Sequence, residues 1–229
     1  GEAWRRGEDT EAIASAWARN LLDSRQPRQA LSVLNEVREI YPDSAVLANL
    51  AGQAAFRSGD RETALVTLKE LADKDRANAR SLTDMAIIYA GRDDFARARE
   101  VMDKALKAAP DTPQIVANAA LIEAQTGDLA QAIALMTPLM SKTNLDARYR
   151  SNLAILHGLA GDMAAFDRWA KEVMTAPECD AMRAWLTAPA GKEQPHFYLG
   201  DGETVQLSPP EKHEDVPQPP RKPDSQNKH

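Results

Sequence analysis

A single cysteine, Cys179, leaves this 229-residue chain without an internal disulfide and without a cysteine cage for zinc. The histidines His157, His196, His213 and His229 are scattered, and no helix carries two of them at i and i+4, so no metal site is expected. Aromatic residues are only 5% of the chain. A core short of rings must be filled by Ala, Leu, Val and Met, which suits closely approaching helices better than sheets. No apolar run approaches the roughly 18 to 20 residues of a membrane span, and no apolar leader opens the chain at Gly1. Any targeting signal is expected upstream of that glycine. No basic block interleaves with aromatics and the net charge is −6, a balance that argues against a nucleic-acid partner. There is no Gly-rich phosphate loop and no serine nucleophile elbow. The 34 acidic residues read as solvated helix faces. No catalytic residue, no cofactor and no enzymatic activity are therefore expected.

What is present is self-similarity. Hydrophobic residues are 43% of the chain, enough for a sizeable core. Small residues recur every 34 positions at Ala18, Gly52, Ala86, Ala120 and Ala154, and a second ladder runs Ala30, Ala64, Ala98, Ala132. Leu34, Leu68, Met102 and Met136 keep the same step, as do Val37, Leu71, Ala105, Leu139 and Val173. Between the two halves of a unit stand Gly59-Asp60, Gly127-Asp128 and Gly161-Asp162. The glycine ends one helix in the left-handed conformation and the aspartate caps the next. Pro42 and Pro110 stop the second helix of their units. Each unit is thus a pair of antiparallel helices whose apolar stripe is buried only when neighbouring pairs stack.

This pattern resembles the tetratricopeptide repeat: small at the eighth position, Gly near the fifteenth, Ala at the twentieth, Pro at the thirty-second. It covers residues 11 to 176. The resemblance implies an all-α, right-handed superhelix of about five helix-turn-helix repeats at 11–44, 45–78, 79–112, 113–146 and 147–176. A capping helix at 177–187 is expected to turn Cys179, Met182 and Trp185 towards the stack, with Cys179 a small buried hydrophobe rather than a reactive thiol. Residues 1–10 form an N-terminal segment containing Trp4. Residues 188–229 are Pro-rich and largely disordered by composition, apart from the β-favouring stretch at 196–207. The later units depart from the pattern. Phe166 stands where alanine is expected, Glu123 and His157 replace apolar residues, and Pro138 interrupts a second helix, predicting a bend there and an atypical fifth hairpin.

A stack of such pairs offers a concave groove lined by the first helix of each unit. Repeating offsets place Arg80, Gln114 and Arg148 there, with Asp84, Asn118 and Asn152 at a second offset and Arg19 and Gln53 at a third. Asn49, Phe56 and Arg57 complete a polar ladder with one apolar pocket. Asn pairs with the backbone of an extended peptide and Arg clamps carboxylates, so a protein or peptide partner is expected. No lysine stands at these offsets and Asp84 repels anions, which argues against a strict carboxylate clamp.

Residues 147–166, ARYRSNLAILHGLAGDMAAF, are similar to the final repeat of the TadD-like lipoproteins of tight-adherence (Flp) pilus systems, and residues 119–136 look like the repeat before it. That resemblance implies a non-enzymatic assembly or pilotin-type factor on the periplasmic side of the outer membrane. It would be tethered by a lipidated N-terminal cysteine absent from this chain, and would help a pilus secretin or another pilus component to localise and assemble. The competing expectation is a general adaptor or chaperone of the same repeat class, cytoplasmic or periplasmic.

Overall fold

The computed structural model describes residues 10–74 and 76–187, with the backbone of 196–198 and 204–206. The N-terminal segment before Thr10 and the rest of the tail expected to be disordered lie outside the described residues. Five helix pairs follow one another: α1 Thr10–Asp23 with α2 Pro27–Ile40, α3 Ala45–Arg57 with α4 Arg61–Asp73, α5 Ala79–Ala90 with α6 Phe95–Ala108, α7 Pro113–Gln125 with α8 Leu129–Met136, and α9 Ala147–Leu159 with α10 Met163–Ala170. A closing helix, α11, spans Ala176–Leu186. The first helices α1, α3, α5, α7 and α9 touch one another in turn and form one layer of an all-helical superhelix, with the second helices as the other.

The second helices α4, α6, α8 and α10 start with the same cap, whereas α2 and α7 have no side-chain cap. The carboxylates of Asp60, Asp94, Asp128 and Asp162 accept from backbone N–H groups three residues on, at 2.9 to 3.2 Å. Ser44 and Asn78 do the same for α3 and α5. Hydrogen bonds from Thr63, its hydroxyl first and then its N–H, hold the Asp60 carboxyl below the usual carboxylate range. The left-handed residue that ends each first helix recurs at the repeat step. It is glycine at 59, 127 and 161, with φ 82° to 88°, but Arg25 at φ 57° and Asp93 at φ 59°.

The two alanine ladders are fully buried, and Leu34, Leu68 and Met136 sit beside them with almost no exposure. At Gly52 an added Cβ would lie 2.3 Å from Leu68 Cδ2, so α3 and α4 approach closely there. Glu123, a polar residue in an apolar register, is neutralised in place: Arg99 on α6 donates to both its carboxylate oxygens, Nε at 3.1 Å, and to the Thr126 hydroxyl at 2.5 Å.

The structure bears out some details of the sequence reading and refines others. Pro138 interrupts the second helix of its unit, as the sequence predicts. α8 ends at Met136 and the chain continues as a 3-10 turn, Thr137–Ser141, because proline supplies no N–H for the α-helical ladder. Phe166, at the position held by alanine in the other units, is fully buried with Ala154, Ala170 and Cys179, the atypical packing expected of the fifth hairpin. On α11 Cys179 is buried and Leu186 packs against α9, its Cδ1 lying 2.3 Å from where a Cβ on Gly158 would stand, while Met182 and Trp185 are half-buried. α1 begins at Thr10, a residue earlier than the repeat frame. Within the tail, β1 His196–Tyr198 pairs antiparallel with β2 Thr204–Gln206, Phe197 opposite Val205, and β1 runs beside α9.

Candidate partner-binding groove

The inner layer carries one large open groove of about 680 Å³ towards its N-terminal end. Its wall is built from α1 (Arg19, Leu22, Asp23), α3 (Val46, Asn49, Leu50, Gln53, Arg57), the turn into α5 (Arg76, Asn78) with Arg80 on α5, and Thr112 before α7 with Ile115 on it. Four arginines therefore line the groove against one aspartate. The arginines arrive from three different hairpins, so the stacking itself concentrates positive charge.

Two of those arginines are braced. Arg57 Nη1 donates to the Leu22 carbonyl at 3.3 Å, across the first two hairpins, and Arg76 Nη2 donates to the Asp43 carbonyl. Such bonds hold a guanidinium in place. Arg19 is exposed and Arg80 half-buried.

The polar ladder expected along the whole stack divides in two. Arg19, Asn49, Gln53, Arg57 and Arg80 line the groove. Asn49 and Gln53, however, are structural there. Asn49 Nδ2 donates to the Ala45 carbonyl at 2.7 Å and the Arg76 carbonyl at 2.9 Å, while its Oδ1 accepts from the Asn78 N–H at 3.0 Å. Gln53 Nε2 donates to Ser81 Oγ at 3.3 Å. Phe56 makes no groove pocket. It packs with Ala55, Ala64 and Ile88 between hairpins.

Asp84, Asn118 and Asn152 are also misplaced by the sequence reading: all three are buried at the seam between successive units. They share the offset of Leu50 but are absent from the groove wall, and their burial leaves almost nothing of them open to a ligand. Gln114 and Arg148 are half-buried outside this groove, and the Arg148 guanidinium lies 5.4 Å from the Tyr149 ring centroid with Nε 3.2 Å from Asp146. Val46, Leu50, Arg76 and Ile115 were not anticipated. Arg76 belongs to a turn between hairpins, and offsets counted along first helices alone pass over it.

A stack of helix pairs with a charged inner groove defines a helical-repeat scaffold. Tetratricopeptide-repeat profiles match residues 21–88 and 83–137, which together span just over half of the chain, and the chain belongs to the tetratricopeptide-repeat family. Among solved structures it is similar to MamA, residue 41 to the end, from Desulfovibrio magneticus RS-1, at 15% identity and a TM-score of 0.61 over 76% of this chain and 96% of that one. It is likewise similar to TTC0263, a thermophilic TPR protein of Thermus thermophilus, at 16% identity and a TM-score of 0.60 over 77% and 96%. No curated protein matches in sequence. The fold is that of a protein–protein interaction scaffold.

Proposed function

We propose that this scaffold serves the assembly of a bacterial tight-adherence (Flp) pilus or related secretion apparatus, and that its groove holds an acidic segment of the partner. The observation that carries the binding reading is charge: four arginines and one aspartate face a single cavity in a chain of net charge −6. A concave low-dielectric wall focuses that field, and guanidinium forks pair with carboxylates through two parallel bonds. Asn49 and Gln53 are already committed to the scaffold, so charge and the apolar contact offered by Val46, 45% exposed, set the recognition.

The pilus context is supported by the similarity of residues 119–166 to the last two repeats of TadD-like lipoproteins. In that context the partner is a pilus secretin or another pilus assembly component. The protein then works on the periplasmic side of the outer membrane, and the membrane is reached through a lipidated cysteine upstream of Gly1.

A photo-crosslinking residue at Val46 in cells of the native host tests both parts. The expected adduct is a pilus assembly component, lost when Arg19 and Arg80 are both changed to Glu. An adduct to an unrelated protein would favour a general adaptor or chaperone and sink the pilus reading. An adduct that survives the double charge reversal would sink the groove.

A further inference from the structure

Trp17 is 44% exposed on α1, although its counterparts one, two, three and four units on, Ala51, Met85, Ala119 and Leu153, are all buried. Each of those counterparts belongs to a cluster shared with the preceding hairpin: Ala51 packs with Leu34 and Val37 of α2, and Met85 with Leu68 and Leu71 of α4. The same holds around Trp17. Ile13, Ala16 and Asn20 are half-buried or exposed, whereas every counterpart in the next four units is buried. This face of α1 is the stacking face of the repeat, uncovered among the described residues. At the other end the stack is closed by α11, with Leu186 set against Gly158.

We infer that the uncovered face of α1 is a homodimer interface, covered by α1 of a second copy. Three observations select this occupant. The four equivalent internal faces are each covered by helix, so the geometry of the repeat calls for a helix here. The stripe Thr10, Ile13, Ala16, Trp17, Asn20 and Ser24, at helical spacing, contains no charge in a chain that is 27% charged, so a two-fold axis lays it against itself without apposing like charges. Because α11 closes the opposite end, copies cannot stack head to tail, and the assembly stops at two.

Sedimentation of the full 229-residue chain at micromolar concentration tests this. The expected result is a dimer that Trp17→Glu converts to monomer, with a dissociation constant raised at least about tenfold, as burial of a charge against an apolar partner requires. Ala16→Arg, on the same stripe and already exposed, gives the same loss and decides the matter if Trp17→Glu fails to fold, which helical circular dichroism reports. Val66→Glu, the same type of change on the exposed face of α4, leaves the dimer intact. A monomeric wild type would overturn the interface, as would a dimer indifferent to both α1 changes or one lost equally with Val66→Glu. None of these outcomes touches the groove, whose test is the Val46 adduct.

Discussion

Arg25 holds φ 57° at a position where three of its four counterparts are glycine. A β-carbon in that conformation is strained against the neighbouring carbonyl, and aspartate tolerates it better than arginine. Arg25→Gly should therefore stabilise the fold by about 0.5 to 1 kcal/mol, and Asp93→Gly by less, as chemical denaturation midpoints will show. His157 illustrates a different residue-scale effect. Burial lowers its pKa below the ordinary imidazole value and outweighs the opposing pull of Asp162, whose Oδ2 lies 3.5 Å from Nδ1. The unfolded chain then takes up the proton first as pH falls through about 6.5. Stability is full above that value and lost below it, and His157→Gln should flatten the loss between neutral and mildly acidic pH. At Gly52 an alanine must displace Leu68, an overpacking of about 1 to 3 kcal/mol.

Among elements, the fifth hairpin and its cap are the least repetitive part of the stack. Phe166 replaces a packing alanine and joins Ala154 to Cys179 on α11, so Phe166→Ala should cost about 3 to 5 kcal/mol. The cost should appear as early exposure of α10 and α11 in hydrogen exchange while the first hairpins stay protected. Gly158→Ala pushes on Leu186 and should free α11 alone. The start of α11 is itself acid-sensitive. Glu178 accepts from the Thr175 hydroxyl and N–H, both at 2.7 Å, and these bonds hold its carboxyl below the usual range. That contribution is present above the ordinary glutamate value and disappears as pH falls through the lowered one.

At the scale of the whole molecule, positive charge gathers in one place on an acidic protein. Partner binding in the groove should weaken as salt rises from low to physiological strength, because the Debye length contracts from about 30 Å to about 8 Å. Reversing Arg19 and Arg80 together should remove most of that salt dependence, measured by titration against the identified partner. A salt-independent affinity would mean that the arginines do not contact the ligand.

The number of hairpins, their small-residue seams and their aspartate caps were legible in the chain, because each depends on contacts within one helix pair that recur at a fixed step. Alanine at 30, 64, 98 and 132 packs alike in four units. The groove was legible only by half. Arg19, Arg57 and Arg80 were found by counting along first helices, while Arg76 enters from a turn and Asp84, Asn118 and Asn152 are buried. Local periodicity determines which helix face is apolar, and that is written in sequence. Which polar residues of neighbouring hairpins converge, and which the stacking buries, depends on contacts between residues some 30 positions apart, and only the tertiary structure decided it.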